Sequence, residues 1–269
     1  MSLTNKSTGI NVLRRKFNIN NKKLPVVALA GNPNTGKSTV FNGLTGLKQH
    51  TGNWPGKTVT RATGYYDYKE KKFNIIDLPG TYSLLVNSTE EKIARDFICF
   101  AKPDVTIVVA DATNLERNLN LVLQITELTN NVVLCLNMMD EAEKKNIKID
   151  ITGLENDLQI PVVPTVAREG KGLQELKYVI NCVFTEEIVI NPAAIEYSSE
   201  VNESIAKILP KLKAIWGNFE GFINLNWLAL RILEGDKTII DSIENYFYKN
   251  IKNSSNINQE SQVKVDGVI

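Results

Sequence analysis

The stretch that most constrains the fold is GNPNTGKS at residues 31–38, which follows the apolar run VVALA and precedes the run TVFNGL. Its glycines leave the backbone bare, so that successive N–H groups can converge on phosphate oxygens. A helix that starts here adds the positive end of its dipole. Lys37 can reach the terminal phosphates, and the Ser38 hydroxyl can ligate Mg²⁺. The pattern predicts a nucleoside triphosphate site; the alternative is a glycine-rich turn that matches by chance.

Strand-like apolar runs alternate with helical patterns from Leu24 onward. Such alternation predicts an α/β fold with a mostly parallel sheet covered on both faces. One stretch differs, because the polar turn KEKK joins two strand-like runs in ATGYYDYKEKKFNIID and predicts an antiparallel hairpin at the sheet edge. The predicted strands are VVALAG, FNIID, VTIVVADA, NVVLCLNMMD and PVVPT, and the clearest helices are LERNLNLVLQITEL and GLQELKYVINCVF.

Changes of composition divide the chain into five segments. Residues 1–23 are polar and Asn-rich and predict a flexible arm, and residues 24–186 form the expected nucleotide-binding domain. Residues 187–196 resemble a linker. Strand signals disappear in residues 197–252, which predict a small all-helical domain whose first helix is kinked or divided by Pro210. Residues 253–269 are polar and predict a disordered tail.

Charge and composition exclude several classes of protein. The formal net charge is +1, so no global field attracts nucleic acid or an anionic membrane. No apolar run approaches the roughly 18 residues of a membrane span, and the N-terminus lacks the apolar core of a secretory signal. Cys99, Cys135 and Cys182 are scattered and predict buried thiols in a reducing compartment. We expect a cytosolic chain, or the cytosolic part of a larger protein.

Two further motifs follow strand-like runs and concern the phosphates and the base. Asp77 in DLPG is placed to hold Mg²⁺ through water, and Gly80 offers its N–H to a γ-phosphate, although D-x-P-G alone is ordinary turn material. Asp140 in NMMD can accept hydrogen bonds from guanine N1–H and the 2-amino group, which adenine lacks. Its alternative reading is a helix cap. Asn137 is expected to hold the phosphate loop and the base region together.

The stretch PTVAREGKG, residues 164–172, follows the last predicted strand. The Ala167 N–H is expected to bond guanine O6. Arg168 either covers the guanine ring or is a solvated loop arginine. Together with the preceding motifs, in this order and each at a strand end, the stretch selects GTP as the ligand.

The order G-x-x-x-x-G-K-S, D-x-P-G, N-x-x-D and A-x-x-G-x-G resembles the translation-factor-related GTPases. TGNWPGKTVTRATG from Thr51 and WLALRILEGD from Trp227 resemble the first switch loop and a helical-domain signature of the ferrous iron transport protein B (FeoB) family. DLPGTYSL and DATNLERNL also match that family. The resemblance covers most of the chain and implies a Ras-like P-loop GTPase fold followed by a helical domain. Because family members continue into a polytopic membrane domain, it also implies an excised cytosolic part.

The resemblance assigns further roles. Thr58 would join Mg²⁺ with Ser38 and Asp77 when the γ-phosphate is present; its alternative is a β-branched residue that enters a strand. Asn34 matches an asparagine that binds K⁺ beside the phosphates, or else stabilises a turn. Lys37, Asn34, Thr58 and Gly80 form the expected catalytic set. The expected nucleotide contacts are Gly31, Asn32, Pro33, Asn34, Thr35, Gly36, Lys37, Ser38, Thr39, Gly56, Lys57, Thr58, Val59, Thr60, Asp77, Leu78, Pro79, Gly80, Asn137, Met138, Met139, Asp140, Val166, Ala167 and Arg168.

Two departures bear on rate and affinity. Thr81 stands where many small GTPases place a water-orienting glutamine, and no arginine lies beside the phosphate loop in the sequence. Hydrolysis is therefore expected to be slow, with charge stabilised by Mg²⁺, Lys37 and K⁺. Val166 stands where relatives often carry serine. The contact expected there uses the backbone, so base selectivity should survive while affinity weakens.

The resemblance implies a GTPase that regulates or drives Fe²⁺ uptake at the cytoplasmic face of a prokaryotic plasma membrane. Its implied partners are its own membrane-spanning domain and small accessory iron-transport proteins, and an oligomer is compatible with it. No credible Fe²⁺ site is visible in the sequence. One rival is a stand-alone GTPase that binds ribosomal RNA, against which the acidic C-terminal region speaks. Another is an ATP-dependent motor or kinase, against which Asp140 speaks.

Overall fold

The structure is a computed structural model that describes residues 3–21, 23–216 and 223–248. The chain divides into two compact units, Met1–Ala194 and Ile195–Ile269. The division falls inside the stretch 187–196 that the sequence marks as a linker.

The first unit is built on a mostly parallel sheet. In the part of the chain that the structure describes, it has seven strands in the order β2-β3-β4-β1-β5-β6-β7. β1 lies at the centre and pairs in parallel with both β4 and β5, and the parallel set continues through β6 to β7. The strands are β1 (Val26–Gly31), β2 (Gln49–Asn53), β3 (Thr60–Tyr68), β4 (Lys71–Asp77), β5 (Val105–Asp111), β6 (Val132–Asn137) and β7 (Val162–Pro164).

Helices connect the parallel strands. Every residue of β1 and β6 is buried, as expected for strands of a sheet that is covered on both faces. The predicted α/β fold is therefore confirmed, and Cys99, Cys135 and Cys182 are buried free thiols as predicted. The helices of this unit are α1 (Leu3–Lys16), α2 (Lys37–Thr45), α3 (Thr89–Asp96), α4 (Leu115–Thr126), α5 (Met139–Lys144), α6 (Ile151–Leu158) and α7 (Leu173–Phe184).

The antiparallel side of the sheet has one strand more than the sequence predicts. β3 and β4 form the expected hairpin, but β2 pairs with the other side of β3 and is the edge strand. All five residues of β2, QHTGN, are exposed, including the single histidine, His50. A strand that buries neither face carries no apolar alternation, so its sequence gives no strand signal.

The N-terminal segment also differs from its prediction. Instead of a flexible arm, the segment contains α1 at Leu3–Lys16, and Leu13 of its last turn is buried together with Phe17 and Ile19, which follow the helix. Leu13 and Phe17 are four positions apart, the spacing of one helix face. Their signal is weak because polar residues and asparagines surround them.

The second unit is helical in its described residues. It consists of α8 (Ser199–Trp216), α9 (Leu225–Leu233), α10 (Lys237–Ile243) and a π-helical turn at Glu244–Tyr248. Pro210 lies inside α8, which continues through it as one helix rather than dividing. The Asn224 side chain caps α9. The predicted tail 253–269 lies outside the described residues.

None of the helices in the described ranges of the chain has both the length and the apolar character that a membrane crossing requires.

Candidate nucleotide-binding site

The phosphate loop (residues 31–38) runs from the last residue of β1 to the first turn of α2. Gly36 has a left-handed backbone with φ 81°, and a Cβ built on it would lie 2.3 Å from Asn137 Nδ2. Only glycine therefore fits at this position. The Thr35 hydroxyl donates to the Asn32 carbonyl at 3.0 Å and closes the turn. Asn34 is exposed at the tip of the loop, with φ 65°.

Asn32 is a buried polar group without a partner. Its side chain is only 3% exposed, and neither its Nδ2 nor its Oδ1 is hydrogen-bonded among the described residues. An unpaired buried amide costs free energy, and such groups in native proteins call for an explanation. A polar ligand in the adjacent loop supplies one, so the loop fits a phosphate-bearing ligand.

Lys37, the first residue of α2, forms an ion pair with Asp77, the last residue of β4. Lys37 Nζ donates to Asp77 Oδ1 and also to the Leu78 carbonyl at 2.6 Å. Burial raises the pKa of Asp77, and the charge and hydrogen bond of Lys37 act in the opposite direction. The cation and the carboxylate that the sequence assigns to the phosphates and to Mg²⁺ are therefore neighbours.

The D-x-P-G motif lies against the phosphate loop. A Cβ built on Gly80 would be 3.4 Å from the backbone of Pro33, and the Thr81 N–H donates to the Gly31 carbonyl at 3.2 Å. Gly80 is thus close to the loop, where the sequence expects it. Pro79 stands between this glycine and the strand β4.

The first switch motif is not joined to the phosphate loop. Its residues Gly56, Lys57, Thr58 and Val59 lie in the loop 54–59 between β2 and β3, and Thr60 begins β3. Thr58 and Ser38 are both exposed. Among the described residues, no hydrogen bond connects Thr58 with Ser38 or Asp77, the other expected Mg²⁺ ligands.

Asn137 connects three motifs. Its Nδ2 donates to the Thr35 carbonyl at 3.0 Å. Its Oδ1 accepts from the Ala167 N–H at 3.0 Å and from the Thr165 hydroxyl at 3.2 Å. The side chain therefore ties the phosphate loop to the A-x-x-G-x-G motif, in line with the role expected from the sequence. The Ala167 N–H donates to Asn137 in this structure, and its expected bond to guanine O6 stays a prediction.

Asp140 is paired with Arg168, a partner that the sequence does not predict. Arg168 Nη2 bonds Asp140 Oδ2, and its Nη1 lies 3.1 Å from Glu141 Oε1. Arg168 therefore pairs with two carboxylates of α5 while its side chain is 55% exposed. Its expected place over the guanine ring stays a prediction. Asp140 and Arg168 follow neighbouring parallel strands, β6 and β7, which is the signal that could have suggested the pair.

The remaining predicted contacts lie beside these. Met138 has a left-handed backbone with φ 62° and precedes α5, and the Met139 N–H donates to the Thr165 carbonyl at 3.3 Å. Val166 is buried, and its N–H donates to the Lys171 carbonyl at 3.1 Å. Thr39 is exposed in the first turn of α2.

A phosphate loop after a central parallel strand, followed by D-x-P-G, N-x-x-D and A-x-x-G-x-G at successive strand ends, defines the G domain of a P-loop GTPase. Two family models match the chain, "Ferrous iron transport protein B" over residues 25–180 and "FeoB cytosolic helical domain" over residues 197–267. The chain belongs to the ferrous iron transport protein B family. The resemblance seen in the sequence is thereby confirmed.

Known relatives agree with this assignment. The chain is 42% identical over 225 residues to the Fe(2+) transporter FeoB of Escherichia coli strain K12, covering 80% of this chain and 27% of that protein. A Porphyromonas gingivalis Fe(2+) transport protein A/FeoB fusion protein is 40% identical, with 78% of this chain and 25% of that protein covered. The chain thus spans about a quarter of the length of the curated relatives that it matches.

A solved structure supports the fold. The cytosolic domain of the T. maritima FeoB iron transporter in GDP form II matches with a TM-score of 0.73 and 38% identity, and 88% of this chain and 89% of that chain are covered. The helix α1 lies before residue 25, where the match to the first family model begins, so neither family model includes it.

Proposed function

We propose that this chain binds GTP and hydrolyses it slowly, and that it thereby regulates or drives Fe²⁺ uptake through a membrane-spanning domain of the same protein. The observation that carries the proposal is the hydrogen-bonded position of Asn137 between Thr35 and Ala167. This side chain fixes the distance between a phosphate site and a base site. The GDP form of the T. maritima relative supports a guanine nucleotide as the ligand.

Binding of the triphosphate rests on groups that are already positioned. Lys37 is held at the loop by the Leu78 carbonyl and by Asp77. On binding, the Lys37 ammonium group leaves Asp77 and contacts the phosphate oxygens. One charge-assisted contact is thereby exchanged for another. The N–H groups of residues 31–38 and the start of α2 add a fixed positive field. Asn32, buried and unpaired, supplies further polar atoms beside this loop.

The chemistry of three side chains, two of them at the phosphate loop and one in the loop 54–59, fits Mg²⁺. Ser38 and Thr58 offer hydroxyls and Asp77 offers a carboxylate, the oxygen donors that this hard cation prefers. When bound, Mg²⁺ would neutralise charge that develops on the β- and γ-phosphates. Asp77 stands next to Lys37 and would hold Mg²⁺ through water. Thr58 has to reach the site from the exposed loop 54–59, so this loop is the one whose position depends on the γ-phosphate.

The proposal is tested by calorimetry on this chain with GTP and ATP, each in Mg²⁺ and in EDTA. We expect GTP to bind tightly and ATP to bind with negligible heat, because adenine lacks the two donors that Asp140 accepts. Chelation of Mg²⁺ should weaken GTP binding and abolish phosphate release. Equal affinity for the two nucleotides would overturn the proposal.

We also propose that K⁺ stimulates hydrolysis through Asn34, which is exposed at the tip of the loop. The rate of GTP hydrolysis should be about 10- to 100-fold higher in K⁺ than in Na⁺. This effect is smaller than that of an arginine finger, which is about 10³–10⁵-fold. Asn34→Ala should remove most of this difference. Asn130→Ala, at an exposed asparagine before β6, is the control and should keep it. Equal rates in both salts for the unmodified chain would exclude the role of K⁺.

The cargo and the partners lie beyond this chain in the proposal. In the described residues there is no group of three or more His, Cys, Asp or Glu side chains able to hold a metal ion. In the proposal Fe²⁺ passes through the membrane-spanning domain, with the present chain on the cytoplasmic side. The fused Porphyromonas gingivalis relative supports a small accessory iron-transport protein as a further partner.

A further inference from the structure

The helix α1 ends in a defined capping motif. Asn18 has a left-handed backbone with φ 54°. The Ile19 N–H donates to the Arg14 carbonyl at 3.0 Å, and the Asn18 N–H donates to the Arg15 carbonyl at 2.9 Å. These two bonds are those of a Schellman motif, and the buried Leu13 and Ile19 are its expected apolar pair. The helix end is therefore built to stop and to turn the chain toward the core.

Arg14 fixes the last turn of α1 to the segment that follows α3. Its Nε donates to the Ala101 carbonyl at 3.0 Å and its Nη2 to the Lys102 carbonyl at 2.6 Å. Nη2 also lies 3.1 Å from Asp104 Oδ2, a carboxylate that accepts the Val26 N–H at the start of β1. Arg14 is only 9% exposed. Partly buried charge-assisted contacts of this kind are strong, so α1 is anchored rather than loosely apposed.

Phe17 brings α1 to an aromatic cluster, defined here as the switch clamp and composed of Phe17, Trp54, Arg61 and Phe97. The Phe97 ring meets Phe17 edge-on at 5.3 Å between centroids and meets Trp54 edge-on at 5.5 Å. The Arg61 guanidinium lies 5.0 Å from the centre of the Trp54 ring, and its Nη1 donates to the Phe17 carbonyl at 2.5 Å. A cation at the carboxyl end of a helix is also favoured by the helix dipole.

The switch clamp holds both ends of the loop that carries Thr58. Trp54 is the first residue of the loop 54–59, and Arg61 follows its end by two residues. The Trp54 N–H donates to the Val59 carbonyl at 2.9 Å, and the Trp54 carbonyl accepts from the Lys57 N–H at 2.9 Å. The Trp54 side chain is only 2% exposed, so its contacts within the switch clamp determine its position. A change in how α1 docks therefore changes the loop directly.

We propose that α1 holds the first switch loop in place through the switch clamp, and that it thereby slows opening of this loop and release of the nucleotide. The helix lies outside the residues that the family models match. The effect on release rests on the proposed GTP binding, whereas the effect on loop opening does not. Arg14 in α1 and Phe17 directly after it are positioning residues, since they act through Trp54, Arg61 and Phe97.

The test compares Arg14→Ala with Arg15→Ala. Both remove one positive charge from the last turn of α1, but Arg15 is exposed while Arg14 is anchored. In nucleotide-free chain, hydrogen exchange of residues 54–60 should rise about tenfold in Arg14→Ala and stay unchanged in Arg15→Ala, with β5 and β6 protected in both. Release of a fluorescent GDP analogue should accelerate about tenfold in Arg14→Ala alone.

Exchange that rises in α1 but not in residues 54–60 would overturn the proposal and leave α1 a purely structural helix. If Arg14→Ala does not fold, Phe17→Leu decides, because it keeps an apolar side chain and loses the edge contact with Phe97. Faster exchange of residues 54–60 in that variant supports the clamp, and unchanged exchange overturns it. Failure of the proposed function is seen separately, as an unmodified chain that binds no GTP in the same preparation.

Discussion

Asp140→Asn is expected to weaken GTP binding by about 10²–10⁴-fold, because the bond from N1–H loses its charged acceptor and the new amide N–H group faces the guanine 2-amino donor, where a bond to a charged acceptor worth about 1.5–3 kcal/mol is lost. Xanthine carries a carbonyl where guanine carries its 2-amino group. An asparagine amide can donate to that carbonyl while its own oxygen still accepts from N1–H. The variant should therefore prefer xanthosine triphosphate, and competitive calorimetry with the two nucleotides measures the switch.

Glu141→Gln is the matched control for this change. Glu141 is the next residue of α5, and its carboxylate also pairs with Arg168, at 3.1 Å. The same carboxylate-to-amide replacement thus disturbs the same arginine without touching the expected base acceptor. GTP affinity should change by less than about threefold, as for a partly exposed ion pair. Equal losses in the two variants would assign the effect to Arg168 and remove Asp140 from base recognition.

Local chemistry made several elements predictable. The buried strands β1, β5 and β6 are continuous apolar runs, and α4 and α7 carry apolar residues at helical spacing. Ser88 and Glu91, three positions apart, form a capping box at the start of α3, with the Glu91 N–H donating to Ser88 Oγ at 3.1 Å. In each case the residues that determine the structure are close in sequence.

Long-range partners explain what the sequence does not reveal. Asn137 and Thr35 are separated by 102 positions, and Asp140 and Arg168 by 28. The motif N-x-x-D suggests a role for Asn137. Its bond to the Ala167 N–H, however, depends on how closely the ends of β6 and β7 approach each other. The docking of α1 likewise depends on Phe97 and Arg61, which only the folded sheet brings to it.

Glycine at position 36 meets two independent requirements, a positive φ and space for a neighbour. Gly36→Ala is therefore expected to reduce GTP affinity by about 100-fold or more and to cost about 2–4 kcal/mol of unfolding free energy. The left-handed backbone accounts for about 1–2 kcal/mol of this cost. The remainder arises because the new Cβ would lie 2.3 Å from Asn137 Nδ2, so Asn137 must move and loses its bonds to Thr35 and Ala167. Denaturation and GTP titration of the same preparation measure both effects.

Gly46→Ala separates the two requirements. Gly46 ends the same helix α2 with φ 61°, and a Cβ there would have no neighbour within 4 Å. Its replacement should cost only the backbone term of about 1–2 kcal/mol and leave GTP affinity unchanged. If Gly36→Ala and Gly46→Ala lost stability equally and Gly36→Ala still bound GTP, Asn137 would not be the link between phosphate loop and base site. If only Gly36→Ala loses the nucleotide, the loss follows from displacement of Asn137, because the backbone strain is common to both variants.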